Sequence, residues 1–231
     1  MKEKKYNGSF IYAIIGVCTL VVAIVGSTYA YLTASISNNT VVTGEASMNS
    51  AGVAANNALS LNVTKLSTGA NGSLIPISVG SNTTNLNNAA KGWTGSAIGT
   101  SWNANYACKD KNGYTVCQIY SVTVTSNLKQ IQNIKLGITS LAGTESTNNT
   151  PNIDVVKMTN TTTVAAITSI KGSDTGLTSA TSIASQGTSS TFYFMVFIRE
   201  TGSGQDDNGS FSGTITATNS DYGTTITAKF S

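Results

Sequence analysis

The sequence predicts an all-β fold, an antiparallel β-sandwich, preceded by a single hydrophobic helix at the N-terminus. Downstream of residue 32, short segments alternate apolar residues with Thr, Ser or Asn, a pattern typical of strands that turn one face to a core. Helical periodicity is weak in that part of the chain, whereas residues 10–32 are continuously uncharged. We therefore divide the chain into residues 1–32, a signal peptide or membrane anchor, and residues 33–231, one extracytoplasmic β-sandwich domain.

The N-terminal segment is long enough to cross a membrane. At 1.5 Å per residue, residues 10–32 reach about 34 Å as a helix, against a hydrocarbon core of about 30 Å. Lys2, Lys4 and Lys5 precede the run and predict a cytoplasmic N-terminus with the rest of the chain outside. Small residues near Ala30 favour cleavage as a signal peptide, whereas the length favours a retained anchor with Tyr31 at the interface. Both interpretations place the domain on the cell membrane or, after secretion, at the cell surface or in the extracellular matrix.

Composition excludes several function classes. Histidine is absent, so no catalytic triad or zinc site that needs imidazole can form. Charged residues make up 10% of the chain, against about 25% in an average domain. The net charge of +3, without a clustered basic patch, argues against a nucleic-acid partner. We expect a non-enzymatic protein with no catalytic residues, no metal centre and no organic cofactor.

Five alternating segments predict strands that are half buried. Their inward positions are Leu59, Leu61 and Val63; Val122 and Val124; Ile134, Leu136 and Ile138; Ile215 and Ala217; and Ile226, Ala228 and Phe230. Residues 192–198 (FYFMVFI) are apolar on both faces, which predicts a central strand covered on each side or a strand that docks against another chain.

The rest of the domain is expected to be mostly connections. A short helix is predicted at residues 51–58, and loops at residues 82–102 and 143–152. Asn-Gly pairs at Asn71, Asn112 and Asn208 predict turns, because both residue types tolerate positive φ.

Cys108 and Cys117 are predicted to form a disulfide within one hairpin. A two-residue turn at Asn112 and Gly113 would pair Lys109 with Val116 and the two cysteines with each other. That pair falls on a non-hydrogen-bonded site, where Cα atoms approach to about 4.5 Å, within the range a disulfide needs. Two free thiols remain an alternative, and a metal site is disfavoured because two cysteines without histidine leave its ligand shell incomplete.

Acidic and amide side chains cluster at Asp206, Asp207 and Asn208 in a Gly-rich segment. Their oxygens could hold a calcium ion, the one cofactor considered for this chain. Ordinary turn chemistry accounts for the same residues, and the terminal Glu of a calcium loop is missing.

Three aromatic residues, Trp93, Trp102 and Tyr106, lie close in sequence. Together they could form a platform on which a sugar ring stacks. The alternative is that they close one end of the sandwich core.

Two stretches resemble the exported camelysin/TasA family of Gram-positive bacteria. Residues 24–46 (IVGSTYAYLTASISNNTVVTGEA) carry a small-residue and Tyr-Ala-Tyr motif, followed by a polar stretch and a Thr/Gly strand. Residues 192–217 resemble the late hairpin of that family, with Gly209, Phe211 and Gly213 in a Gly-x-Phe-x-Gly turn.

The resemblance implies a jelly-roll-like domain, removal of the leader and assembly into cell-surface or biofilm-matrix fibres. In such fibres a freed N-terminal segment can complete the sheet of the next subunit by strand addition. Carried over to this chain, the donor strand would run over residues 35–46, which include Ser35, Thr40, Val41, Val42 and Ala46. The metallopeptidase activity described for camelysin is not carried over, because this chain has no histidine.

Two main functional hypotheses follow. The first is a non-enzymatic structural protein of the cell surface or matrix that self-associates, or pairs with other surface proteins, through β-strand addition. The second is a membrane-anchored β-sandwich that binds a ligand or a host surface. An enzyme acting through carboxylates or a Ser/Lys pair is a third, for which the sequence shows no motif.

Overall fold

The computed structural model describes residues 58–129, 131–144, 153–200 and 210–231, all of which belong to one compact unit. These residues form eleven strands and one helix. The strands are β1 (Leu59–Lys65), β2 (Trp93–Thr94), β3 (Ala97–Ile98), β4 (Cys117–Ser126), β5 (Gln132–Thr144), β6 (Ile153–Asn160), β7 (Thr163–Ser169), β8 (Ser173–Ile183), β9 (Ser189–Ile198), β10 (Ser210–Asn219) and β11 (Thr224–Phe230), and the helix is α1 (Thr84–Lys91).

The strands form two larger antiparallel sheets, which confirms the all-β class. The first sheet has the order β1-β4-β9-β6-β7, and the second has the order β11-β10-β5-β8. Strands β2 and β3 pair separately as a small hairpin. The two larger sheets share one apolar core, as expected of a sandwich.

The core between the sheets is built from the alternating residues that the sequence singled out. Ile134, Leu136 and Ile138 of β5 are 0–1% exposed, and Val122 and Val124 of β4 face them. The residues next to these along each strand are Thr, Ser, Asn, Lys or Gly and face away from the core, as the alternation of side chains in a strand requires. All five predicted strands are confirmed.

Aromatic rings close one part of this core. Phe194 of β9 lies 5.1 Å from Tyr120 of β4 and 5.0 Å from Phe230 of β11, between ring centroids. Gly213 of β10 lies under the ring of Phe230, where any Cβ would collide with it. Four strands from both sheets thus meet at one aromatic cluster, to which Phe211 also belongs.

Strand β9 is central and covered on both faces, as predicted from its continuous apolar run. Phe194 and Val196 belong to the core between the sheets, whereas Met195 and Phe197 belong to a second apolar cluster. That second cluster is completed by residues 66–116, the connection between β1 and β4, which we call the cap. The first sheet therefore packs against the second sheet on one face and against the cap on the other.

The loop predicted for residues 82–102 is wrong, because the cap contains α1 and the β2–β3 hairpin there. Leu86, Ala89 and Ala90 are spaced i, i+3 and i+4, and all three are buried on one side of α1. Gly92 caps the helix after Lys91: its φ of 71° favours glycine, and its N–H donates to the carbonyls of the last turn. Tertiary burial of a short apolar stripe outweighs the poor helix propensity of the neighbouring asparagines.

Other expectations are corrected or fall outside the described residues. Ala58, the last residue of the helix predicted at 51–58, lies in a turn before β1, and the remainder of that segment is outside the described part. Gly143 and Thr144 belong to β5 rather than to a loop, and residues 145–152 are outside the described part. Strands β6, β7 and β8 had no predicted counterpart.

A buried polar network ties strand ends together. The Gln132 side chain is fully buried, and its Nε2 donates to Ser126 Oγ at 2.6 Å and to the Ala58 carbonyl at 3.2 Å. Its Oε1 accepts a hydrogen bond from Asn219 Nδ2 at 2.5 Å. Strands β4, β5 and β10 and the entry to β1 are thereby linked at one end of the sandwich.

Candidate functional site

The outer edge of β1 carries backbone groups that no described residue pairs with. Asn127 N–H donates to the Ala58 carbonyl, and Leu66 N–H donates to the Ile119 carbonyl, so the even-numbered residues between 58 and 66 bond to β4. Because bonding direction alternates along an antiparallel strand, Leu59, Leu61 and Val63 direct their N–H and C=O groups away from β4. This row is the open edge of the first sheet.

The opposite edge of the same sheet, β7, is protected. The side chain of Asn87 on α1 accepts a hydrogen bond from Val164 N–H at 2.7 Å. The Arg199 guanidinium donates to the Ile167 carbonyl at 3.1 Å and is held there by Asp154 at 2.6 Å. Two polar groups of β7 are therefore satisfied from outside the ladder, which is one way a sheet edge is made unavailable.

Beside the open edge, the part of the outer face of the first sheet that the cap does not cover carries neutral polar side chains. Thr125 and Ser189 form a cross-strand hydrogen bond of 2.7 Å, and Thr123 and Thr191 form one of 3.2 Å. We call this surface the hydroxyl face; it consists of three cross-strand rows, Ser60–Thr125–Ser189, Asn62–Thr123–Thr191 and Thr64–Ser121–Tyr193. None of these nine side chains carries a charge at neutral pH, so nothing in the rows repels a second copy electrostatically.

Cys108 and Cys117 form the predicted disulfide, with their Cα atoms 4.8 Å apart. The predicted turn is wrong by one residue, since Lys109 pairs with Thr115 rather than with Val116. The cause is Asp110, whose carboxylate accepts the N–H groups of Asn112 and Tyr114 at 2.9 and 2.8 Å and so enlarges the turn. The backbone accommodates the extra residue at Cys108, which has a positive φ of 64°.

The disulfide anchors the cap to the first sheet. Cys117 begins β4, and Cys108 N–H donates to the carbonyl of Ala89 in α1 at 2.9 Å. Both cysteines are fully buried in the cluster that the cap forms with β9. The bond therefore connects a strand of the sheet to the segment that supports α1.

The cap contains an open groove of about 380 Å³. Trp93, Pro76, Ile77 and Ile98 form much of its apolar lining. Its polar rim is formed by Asn85 and Asn88 of α1 and by Lys109 and Asp110 of the disulfide hairpin.

The predicted aromatic platform is only partly gathered here. Trp93 lines the groove, whereas Trp102 packs against the apolar cluster under the cap. Tyr106 is 43% exposed and is not among the residues that line the groove. The polar residues Asn88 and Lys109, which complete the groove, were not singled out from the sequence.

Burial shifts two titratable groups near these features. It raises the pKa of the Tyr120 hydroxyl above its ordinary value, and that hydroxyl donates to Gln118 Oε1 at 2.6 Å. It lowers the pKa of the Lys65 ammonium at the end of β1, whose Nζ donates to the Ala70 carbonyl at 2.8 Å. Lys65 thereby directs its charge toward the cap rather than along the open edge.

The remaining predicted site residues lie outside the described part of the chain. These are the calcium candidates Asp206, Asp207 and Asn208 and the donor-strand segment, residues 35–46. Within the described ranges, no group of three or more Cys, Asp or Glu side chains is arranged to hold a metal ion.

The membrane segment is likewise outside the description. Of the helices in the described residues, none has the length and apolar character to span a bilayer, and residues 10–32 are not among those residues. The chain matches no protein-family model, no curated protein and no solved structure. The resemblance to the camelysin/TasA family therefore stays a prediction.

Proposed function

We propose that this protein is a non-enzymatic, exported structural protein of the cell surface or extracellular matrix that self-associates by β-strand addition. The observation that carries the proposal is the open edge of β1, where Leu59, Leu61 and Val63 turn toward an incoming strand backbone groups that no residue of the described ranges pairs with. Main-chain hydrogen bonds give such an interaction its affinity, and no catalytic group is needed.

The charge distribution supports the same function. Natural proteins block exposed edges with charged residues, proline or bulges. In β1 the only charged residue is Lys65, at the far end, and no proline interrupts the strand. The pairing of β1 with β4 is regular over all seven residues, so the edge is straight enough to template another strand.

The occupant of the edge is assigned by the resemblance. Residues 35–46 of a neighbouring copy would supply the strand, after a leader ending near residue 32 has been removed. The jelly-roll-like connectivity belongs to the same proposal, as does the location outside the cell, with the N-terminal helix contacting the membrane before cleavage. A strand added beside β1 would extend the neutral rows of the hydroxyl face onto the next subunit.

A charge placed beside the edge tests this proposal. In the double variant Asn62→Lys/Thr64→Lys, both substituted side chains are exposed and β4 pairing is retained. The matched control is Ala166→Lys/Thr168→Lys on β7, which adds the same charge at exposed positions of the protected edge. The full chain is expressed in a bacterial host, and the protein recovered from the cell surface and medium is examined by electron microscopy and intact-mass measurement.

We expect filaments of leader-less protein from the wild type and from the β7 control, and no filaments from the β1 variant. Filaments in all three proteins would show that assembly does not use this edge. A wild-type protein that stays monomeric over a range of pH and salt would contradict self-association itself.

The second hypothesis, an anchored sandwich that binds a ligand, is favoured by the groove in the cap. It predicts that the recovered wild-type protein retains residues 1–32, which the same intact-mass measurement detects. The two functions are compatible in one molecule, because the groove and the open edge use different residues.

A further inference from the structure

The groove has the dimensions and the open form of a small-ligand site. Its volume of about 380 Å³ lies at the small end of the range of about 300–1,000 Å³ for ligand pockets. It is open on one side, which suits one unit of a chain molecule that continues beyond the site.

The apolar lining needs a ligand with an apolar side. Trp93 is half-buried in the β2–β3 hairpin, and Ile77 and Ile98 lie beside it in the lining. The C–H face of a pyranose ring stacks on an indole, but the hydroxyl groups of the ring form no hydrogen bonds with isoleucine or proline side chains. An acetamido methyl group supplies the second apolar patch that such a lining can bury.

The polar rim has hydrogen-bonding capacity that the fold does not use. Within the described part of the chain, the Asn88 amide and the Lys109 ammonium make no hydrogen bond or ion pair. Asp110 uses only Oδ1 in the turn, which leaves Oδ2 to accept from a ligand hydroxyl. Asn85 donates to the Ser78 carbonyl at 2.7 Å, so its amide oxygen remains an acceptor.

These groups together select a neutral ligand rich in hydroxyl and amide groups. Lys109 and Asp110 are adjacent and of opposite sign, so the rim offers no net charge to an anion or a cation. The side-chain amide of Asn88 can donate a hydrogen bond to the carbonyl of an acetamido group and accept one from its N–H. We propose that the cap groove binds an N-acetylated amino-sugar unit of a neutral glycan, an activity beyond the structural function proposed above.

The test compares two trisaccharides of equal length and linkage, tri-N-acetylchitotriose and cellotriose. The full chain, ¹⁵N-labelled in a mild detergent, is titrated with each, and the indole N–H resonances of Trp93 and Trp102 are followed. We expect the acetylated sugar to shift the Trp93 resonance and to leave Trp102, packed under the cap, nearly unchanged. Cellotriose should bind at least about tenfold more weakly, because the acetamido contacts are lost.

Variants then connect the binding to the groove. Trp93→Ala, whose affinity is read from the backbone amide resonances of the cap in the same titration, should lower the affinity for the acetylated sugar at least about tenfold, since it removes the stacking surface. Asn88→Ala should lower it about fivefold, the cost of one hydrogen bond, in a variant that keeps the indole. Tyr106→Ala is the matched control, an exposed aromatic of the cap outside the groove, and should bind as the wild type does.

Three results would overturn the proposal. These are the absence of any Trp93 shift with the acetylated sugar at millimolar concentration, equal affinity for the two sugars, and unchanged affinity in both Trp93→Ala and Asn88→Ala. If Trp93→Ala loses the dispersed spectrum of a folded cap, the Asn88→Ala variant alone decides between the proposal and its rejection.

Discussion

Removal of the Cys108–Cys117 disulfide is the perturbation whose effect the structure defines best. In the variant Cys108→Ala/Cys117→Ala, the hairpin loses its covalent closure while both sites keep a small apolar side chain. The sulfur atoms are fully buried, so a little apolar contact is lost as well. The main effect acts on the unfolded chain, which gains the freedom that the loop had removed.

The magnitude follows from the length of the closed loop. For cysteines nine residues apart, the chain-entropy relation gives about 2.6 kcal/mol at 25 °C. Cys108 also has a φ of 64°, a conformation that costs a non-glycine residue about 1 kcal/mol. The disulfide helps to hold this residue in place, so a second variant, Cys108→Gly/Cys117→Ala, should recover about 1 kcal/mol of the loss.

Urea unfolding at equilibrium measures both variants. Tryptophan fluorescence reports on the cap, because Trp93 and Trp102 both lie in it, and far-ultraviolet circular dichroism reports on the sheets. We expect the two unfolding curves of the wild type to coincide. In the alanine variant we expect the fluorescence midpoint to lie at a lower urea concentration than the circular-dichroism midpoint, because loss of the disulfide destabilises the cap more than the sandwich.

The reasoning would be refuted by a destabilisation below about 1 kcal/mol, which is too small for the entropy of this loop. It would also be refuted if the glycine variant were less stable than the alanine variant. That order would mean that the positive φ of Cys108 carries no strain.

Three further predictions concern the core. Gln132→Ala should lower the free energy of unfolding by about 3 kcal/mol in urea titrations, because three buried partners each lose one hydrogen bond, and a loss under 1 kcal/mol would argue against the network. Gly213→Ala should cost about 1–3 kcal/mol and lower Tm, since the added methyl group meets the ring of Phe230, and an unchanged Tm would contradict that packing. The folded-state pKa of Tyr120 lies above its unfolded value of about 10. The contribution of the protonated hydroxyl to the free energy of unfolding is therefore complete below about pH 10 and is lost as the pH rises further. Wild-type stability should therefore fall above pH 10, and Tyr120→Phe, which costs about 1 kcal/mol at pH 7 through the lost bond to Gln118, should lack this part of the fall.

The sequence predicts strands well where one face is apolar and the other is polar. The inward series that begins at Ile134 is such a case, and the run at residues 192–198 indicated a strand covered on both sides. Strand β8 was not predicted, because Leu177 and Ile183, its only buried apolar residues, are too far apart in sequence to show the alternation of a strand. Strand β6 was not predicted, because Asp154 interrupts its apolar run. The burial of that aspartate depends on its ion pair with Arg199, which the sequence does not show.

The candidate sites show the same division. The disulfide could be predicted because proximity in sequence brought two cysteines within reach, although Asp110 changed the register by one residue. The open edge could not, because which strand ends a sheet depends on the order of all the strands. The groove could not be predicted either, because it depends on α1 to bring Asn88 and Trp93 into one lining, and the asparagines of α1 are weak helix formers.

The cap leaves the molecule at a single place and returns beside it. Lys65 pairs with Tyr120, the hydrogen bond from Leu66 N–H to the Ile119 carbonyl closes the base of the cap, and no strand of the two larger sheets comes from the cap. Under the two proposals, exchange of the cap would change the ligand that is bound and leave the open edge of β1 in place, because the groove and that edge share no residue. Selection on binding would then act on the cap, and selection on the fit between copies would act on the edge strand.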